Sequence, residues 1–60
     1  MEYKIIKIGD TIINKKSKVK YQITHQVNVN TFSMDNLKYL GMIDYINENT
    51  ADDYELVKSV

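Results

Sequence analysis

The chain has 60 residues, no Cys, one His and a formal net charge of zero, which excludes a disulfide scaffold, a thiolate metal centre and a second domain. A core this small is marginal, because ordering entropy nearly cancels the burial term. With neither disulfide nor metal as a staple, the length predicts one small domain, residues 1–60, that gains further burial as a homodimer or against a partner protein.

No apolar run is long enough for a signal peptide or a bilayer span, so a soluble, cytoplasmic protein without membrane contact is expected. Eight Lys, eight Ile and six Asn, with no Arg and no Pro, are a composition that A/T-rich codons produce, which points to an A/T-rich bacterial or phage genome. Charge is uneven along the chain. Residues 1–30 hold six Lys against Glu2 and Asp10, a balance of +4, and residues 31–60 hold Lys38 and Lys58 against six carboxylates, a balance of −4. Such asymmetry suggests a polar partner surface or self-complementarity between subunits.

Tyr3 to Asn14, "YKIIKIGDTIIN", is rich in β-branched residues and reads as a strand. Its alternation slips at Ile5-Ile6 and Ile12-Ile13, and a bulge at Gly9 would restore the phase. "NKKSK", Asn14 to Lys18, is a polar turn. "VKYQITHQVNVN", Val19 to Asn30, alternates apolar and polar residues, so the two strands form a long antiparallel hairpin. Its odd positions, Val19 to Val29, are expected to face the core and its even positions water.

From Thr31 the apolar period reads as 3.6 rather than 2. Ser33 suits an N-cap, Phe32 and Leu37 occupy staple positions, and Asp35 falls in the first turn, where the helix dipole favours an anion. These features predict a helix from Met34 to about Asn47, with Gly41 as a costly interior residue or an earlier end. It would carry two apolar stripes, Tyr39-Met42-Ile43-Ile46 and Met34-Leu37-Leu40, where a surface helix needs only one. "NENTAD" connects to "DYELVKSV", Asp53 to Val60, read as a third strand in preference to a second helix capped by Thr50. The expected fold class is α+β: a long antiparallel β-hairpin, one α-helix and a third strand (ββαβ), with the helix packed on one face of a small sheet.

Several constellations carry candidate chemistry. His25 stands in the apolar row, either as a pH switch or general base or as a packed ring with its N–H satisfied; no nucleophile with an orienting acid accompanies it. Lys15, Lys16, Lys18 and Lys20 cluster at the hairpin tip, where they would touch phosphates or merely solubilise the turn. Bidentate base reading favours Arg, which is absent. Asp44, Glu48, Asp52, Asp53 and Glu55 are either an imitation of a phosphate run or a solvated face. They lack the spacing of a calcium loop, so no metal and no cofactor are expected. Tyr39 and Tyr45 are candidate aromatic anchors for a partner. No catalytic set and no glycine-rich phosphate loop is visible, and an enzyme is not expected.

"DNLKYLG", Asp35 to Gly41, followed by "NTAD", Asn49 to Asp52, and a chain ending "VKSV" resembles the small uracil-DNA glycosylase inhibitors of phi29-like Bacillus phages. Here "MIDYINE", Met42 to Glu48, separates the two motifs, which are adjacent in that family. The resemblance implies a strand, strand, helix, strand homodimer that occupies the enzyme's DNA-binding groove and sequesters a protruding apolar side chain. By position it implies contacts from Asp35, Tyr39 and Leu40. The combined expectation is a phage-like protein that inhibits a host DNA-processing enzyme through Asp35, Tyr39, Leu40, Asp44, Tyr45 and Glu48, acting in the host bacterial cytoplasm. The competing expectation is a nucleic-acid-binding module that uses Lys15, Lys16, Lys18 and Lys20.

Overall fold

The computed structural model describes residues 1–57 and is all-β. Five strands, β1 (Thr11–Asn14), β2 (Lys20–Asn28), β3 (Thr31–Asn36), β4 (Ile43–Asn47) and β5 (Tyr54–Val57), form one antiparallel sheet in the order β4-β3-β2-β1-β5. Two 3-10 turns, Tyr3–Ile5 and Ala51–Asp53, are the remaining regular elements among the described residues.

The first hairpin forms where the sequence places it. Ile12 pairs with Tyr21 and Ile13 with Lys20 across the "NKKSK" turn. Asn14 Oδ1 accepts the Lys16 and Ser17 N–H groups at 2.9 and 3.0 Å, and Lys18 takes the left-handed conformation, φ 64°, that such a reversal needs. The final strand also forms over Tyr54–Val57, pairing Ile12 with Leu56; Lys58 to Val60 lie outside the described residues.

Two expectations about this hairpin are corrected. Its first strand is short: Tyr3–Ile5 is a 3-10 turn, and Gly9, at φ +95°, belongs to a turn in which Asp10 N–H donates to Lys7 C=O at 3.0 Å. The chain regains the sheet only when Gly9 N–H donates to Ile23 C=O. The long strand does not keep one face inward either. Tyr21 and Ile23 are buried, but Val27 and Val29 are exposed. The register steps from Ile23 opposite Met34 to His25 opposite Ser33, leaving Thr24 unmatched, and this bulge reverses the phase. Thr24 is half-buried with its Oγ1–H donated to Ser33 C=O at 3.1 Å.

The expected helix does not exist, and with it falls the α+β, ββαβ assignment. Met34 to Asn47 is instead the end of β3, a loop and β4, paired in register from Thr31 opposite Asn47 to Asp35 opposite Ile43. Three local features decide this. Phe32, Met34 and Asn36 alternate inward with Ser33 and Asp35 outward, a period of two. Asn36 Oδ1 accepts the Lys38 and Tyr39 N–H groups at 2.8 and 2.9 Å, a side-chain turn that competes with a helical ladder. Gly41 sits at φ +88°, a conformation that no right-handed helix contains. Ser33 is therefore a buried mid-strand residue rather than an N-cap.

The core lies on one face of the sheet. Ile12, Ile23, Met34 and Ile46 are fully buried, joined by Ile6, Tyr21, Phe32 and Ala51. Tyr3 and Tyr54 close its two ends. Tyr3 lies 5.5 Å from the Phe32 ring and Tyr54 packs edge-on to Tyr21 at 5.9 Å.

Candidate partner-binding surface

Eleven large apolar side chains are exposed among the described residues, and six of them fall between Leu37 and Tyr45. This concentration is large enough to mark a surface, whereas scattered single apolar residues are ordinary. Leu40, 93 % exposed, is the most exposed residue of the loop, and Leu37, Tyr39 and Met42 flank it in sequence and are also exposed. Ile43 and Tyr45 extend the patch along the outward face of β4.

The loop is fixed from below. Asn36 is buried, and besides its two side-chain bonds its own N–H donates to Met42 C=O at 3.0 Å. Leu37 N–H donates to Lys20 C=O, tying the loop's start to β2. Lys38 places its ammonium 5.3 Å from the Tyr39 ring centroid, within cation–π range.

β4 is also an edge strand. Bonds in an antiparallel ladder alternate, and the Asn36-to-Met42 bond assigns Met42, Asp44 and Ile46 to β3. The N–H and C=O groups of Ile43 and Tyr45 then point to the open side. Those of Asn47 are occupied locally: its N–H donates to Thr50 Oγ1 at 3.1 Å and its C=O accepts Thr50 N–H at 3.1 Å.

The structure divides the expected contact residues. Tyr39, Leu40 and Tyr45 share the exposed patch, and Asp35 lies beside it, outward on β3 opposite Ile43. Asp44 is elsewhere: it is half-buried on the core-facing side of the sheet, opposite Met34. Its carboxylate lies toward Tyr21, whose phenol is raised above its usual value first by burial and then by that charge. Glu48 is exposed in the turn after β4 and lies toward Tyr3, whose phenol is raised by burial and secondarily by Glu48. Tyr3 Oη is buried without a hydrogen-bond partner, and Tyr3, Lys4 and Glu48 line two open clefts of about 300 and 370 Å³.

Lys15, Lys16, Lys18 and Lys20 are all exposed, as a phosphate-binding tip requires. Their surroundings are not basic, however. Lys15 N–H donates to Asp53 C=O at 2.9 Å, and Asp52 and Asp53 line one cleft with Lys15 and Lys16. Folding thus brings the acidic second half against the basic first half. His25 is not packed in the core. It is exposed on the outer face, Nδ1 3.2 Å from Thr24 Oγ1, with buried Ser33 between it and Tyr45.

Sequence reading missed the free edge of β4 and the cleft under Tyr3. No local sequence pattern marks either feature. No protein-family model matches the chain, and no curated protein or solved structure matches it.

Proposed function

We propose that the protein is a non-enzymatic protein-binding module whose working surface is the Leu37–Gly41 loop and the outward face of β4. The observation that carries this reading is the run of exposed apolar residues from Leu37 to Tyr45, held by the buried Asn36, whose Oδ1 accepts two loop N–H groups. A preordered apolar surface loses little entropy on binding. Its aromatic members are of the type that anchors interfaces.

The charge around the patch indicates the partner's character. Asp35 borders Ile43, Glu48 follows β4, and Lys38 is the one cation between residues 21 and 57. An apolar surface edged with carboxylates fits a partner with an apolar projection in a basic groove, such as the nucleic-acid surface of a DNA-processing enzyme. Uracil-DNA glycosylase is one such enzyme to test. The helix through which the resemblance implied Asp35, Tyr39 and Leu40 as contacts is absent, so those residues enter this reading as parts of a strand end and loop.

The test is capture from a bacterial lysate, run with and without nuclease, using the native protein, a Leu40→Ser/Tyr45→Ser variant and a variant with Lys15, Lys16, Lys18 and Lys20 changed to Gln. A stoichiometric protein held by the native and lysine-free forms but lost by the Ser variant is expected. Capture that depends on the lysines and disappears with nuclease would replace this reading with nucleic-acid binding.

A further inference from the structure

We propose that His25, Asp35 and Tyr45 form a site on the outer face of the sheet that takes a guanidinium group, an arginine side chain of the bound partner, with His25 Nε2 as a fixed hydrogen-bond acceptor. The inference rests on the reading of this face as the working surface, and it extends that surface across β3 to β2.

One hydroxyl proton fixes the imidazole. Thr24, left out of the ladder by the bulge in β2, has two contacts through Oγ1: Ser33 C=O at 3.1 Å and His25 Nδ1 at 3.2 Å. The hydroxyl has a single hydrogen to give. A carbonyl can only accept, whereas an imidazole nitrogen donates or accepts according to its tautomer. For the neutral ring, both contacts are hydrogen bonds in one arrangement alone. Thr24 Oγ1–H donates to Ser33 C=O, and His25 Nδ1–H donates to Thr24 Oγ1. The proton therefore sits on Nδ1, and Nε2 keeps its lone pair. The ring is exposed, and its one bond to the protein among the described residues is made through Nδ1.

The surroundings select the donor that meets Nε2. His25, Ser33 and Tyr45 stand in one row across β2, β3 and β4. Ser33 points outward yet is only 2 % exposed, so the larger side chains beside it close over it. Asp35, exposed, is the next outward residue of β3. It is a diagonal neighbour of both His25 and Tyr45, a separation that long side chains bridge. An acceptor nitrogen, a carboxylate and an exposed aromatic ring thus border one small residue. Guanidinium matches all three. It donates through every nitrogen and accepts through none, pairs with carboxylates and lies against aromatic faces. An ammonium has no planar face to lay on the ring. A phosphate or carboxylate would meet the like charge of Asp35 and an Nε2 with no proton to donate. The basic groove inferred for the partner supplies arginine.

Nuclear magnetic resonance of the purified protein at pH 8 tests this, with N-acetyl-arginine amide as the probe and N-acetyl-citrulline amide, its neutral isostere, as the control. Two-bond proton–nitrogen correlations are expected to show His25 protonated at Nδ1, the reverse of the tautomer that a free imidazole favours. Thr24→Val returns the ring to that ordinary tautomer, and Thr24→Ser keeps the proton on Nδ1. The arginine probe shifts the amides of His25, Asp35 and Tyr45, half-saturating at about 10–50 mM, and the citrulline probe does not. Asp35→Asn and His25→Phe each weaken that binding by roughly threefold. A proton on Nε2 in the native protein, no response to the arginine probe, or equal responses to the two probes would overturn the proposal. In the lysate capture, His25→Phe lowers recovery of the partner. Capture that the Leu40→Ser/Tyr45→Ser variant loses and His25→Phe leaves undiminished removes this inference and keeps the binding reading. Preference for the arginine probe in a protein that captures nothing does the opposite.

Discussion

Asn36 Oδ1 accepts the Tyr39 N–H at 2.9 Å, and this bond turns β3 into the exposed apolar loop. Asn36 is also buried and serves Lys38 N–H. Asn36→Ala leaves two backbone donors without their acceptor, which predicts a loss of about 1–2 kcal/mol, near the net worth of two hydrogen bonds. Urea unfolding monitored by tyrosine fluorescence measures it. An unchanged midpoint would show that the loop is held by something else.

Gly41 predicts a pure backbone effect. A Cβ built there meets nothing within 4 Å, yet φ is +88°. Gly41→Ala is therefore expected to cost about 1–2 kcal/mol through left-handed strain alone. A Gly41→Asn variant, whose side chain tolerates that region better, should cost less. Thermal unfolding of the two variants gives the comparison, and equal losses would contradict it.

Met34 and Leu40 separate the sheet from the helix that the sequence suggested. On the helix they shared one stripe. On the sheet Met34 is 0 % exposed and Leu40 is 93 % exposed. Met34→Ala should cost about 2–5 kcal/mol as a core cavity, whereas Leu40→Ser should stay within about 0.5 kcal/mol as a surface change. Denaturant titration distinguishes them, and comparable losses would favour the helix.

Tyr3 and Tyr21 predict loss of stability at alkaline pH. Both phenols are raised in the folded protein, Tyr21 by burial and then Asp44, Tyr3 by burial and then Glu48. An unfolded phenol ionises near about 10, so above that pH the unfolded chain releases protons that the folded protein retains, and unfolding is favoured. The stabilisation is full below the unfolded value and disappears as pH rises through the folded one. Unfolding free energy measured from pH 8 to 11 should therefore fall above about pH 10, and by less in a Tyr21→Phe variant.

The first hairpin and the last strand were legible because their signals are local. A polar turn separates two β-branched runs, and Tyr54 to Val57 alternates. The β3–β4 hairpin was not legible because β4 carries apolar residues on both faces. Ile46 and Met34 face the core while Ile43 and Tyr45 face outward, so the period of two is hidden and a longer period is imitated. Sequence rules tend to fail at functional surfaces, and this failure coincides with the proposed one. A different signal was present throughout. Asn14, Asn28, Asn36 and Asn47 each end a strand, and each accepts N–H groups two or three residues on. Read as turn formers rather than as a codon bias, these four Asn mark the ends of β1 to β4. The charge asymmetry was legible as composition, but its outcome was not, since the acidic turn at Asp52-Asp53 folds against the basic tip.

Amide hydrogen exchange of the protein, alone and with the captured partner at saturation, tests the working surface most directly. The account predicts new protection in residues 37–47, with residues 14–20 unchanged. Protection confined to residues 14–20, with the Leu37–Tyr45 run as open as in the free protein, would contradict it.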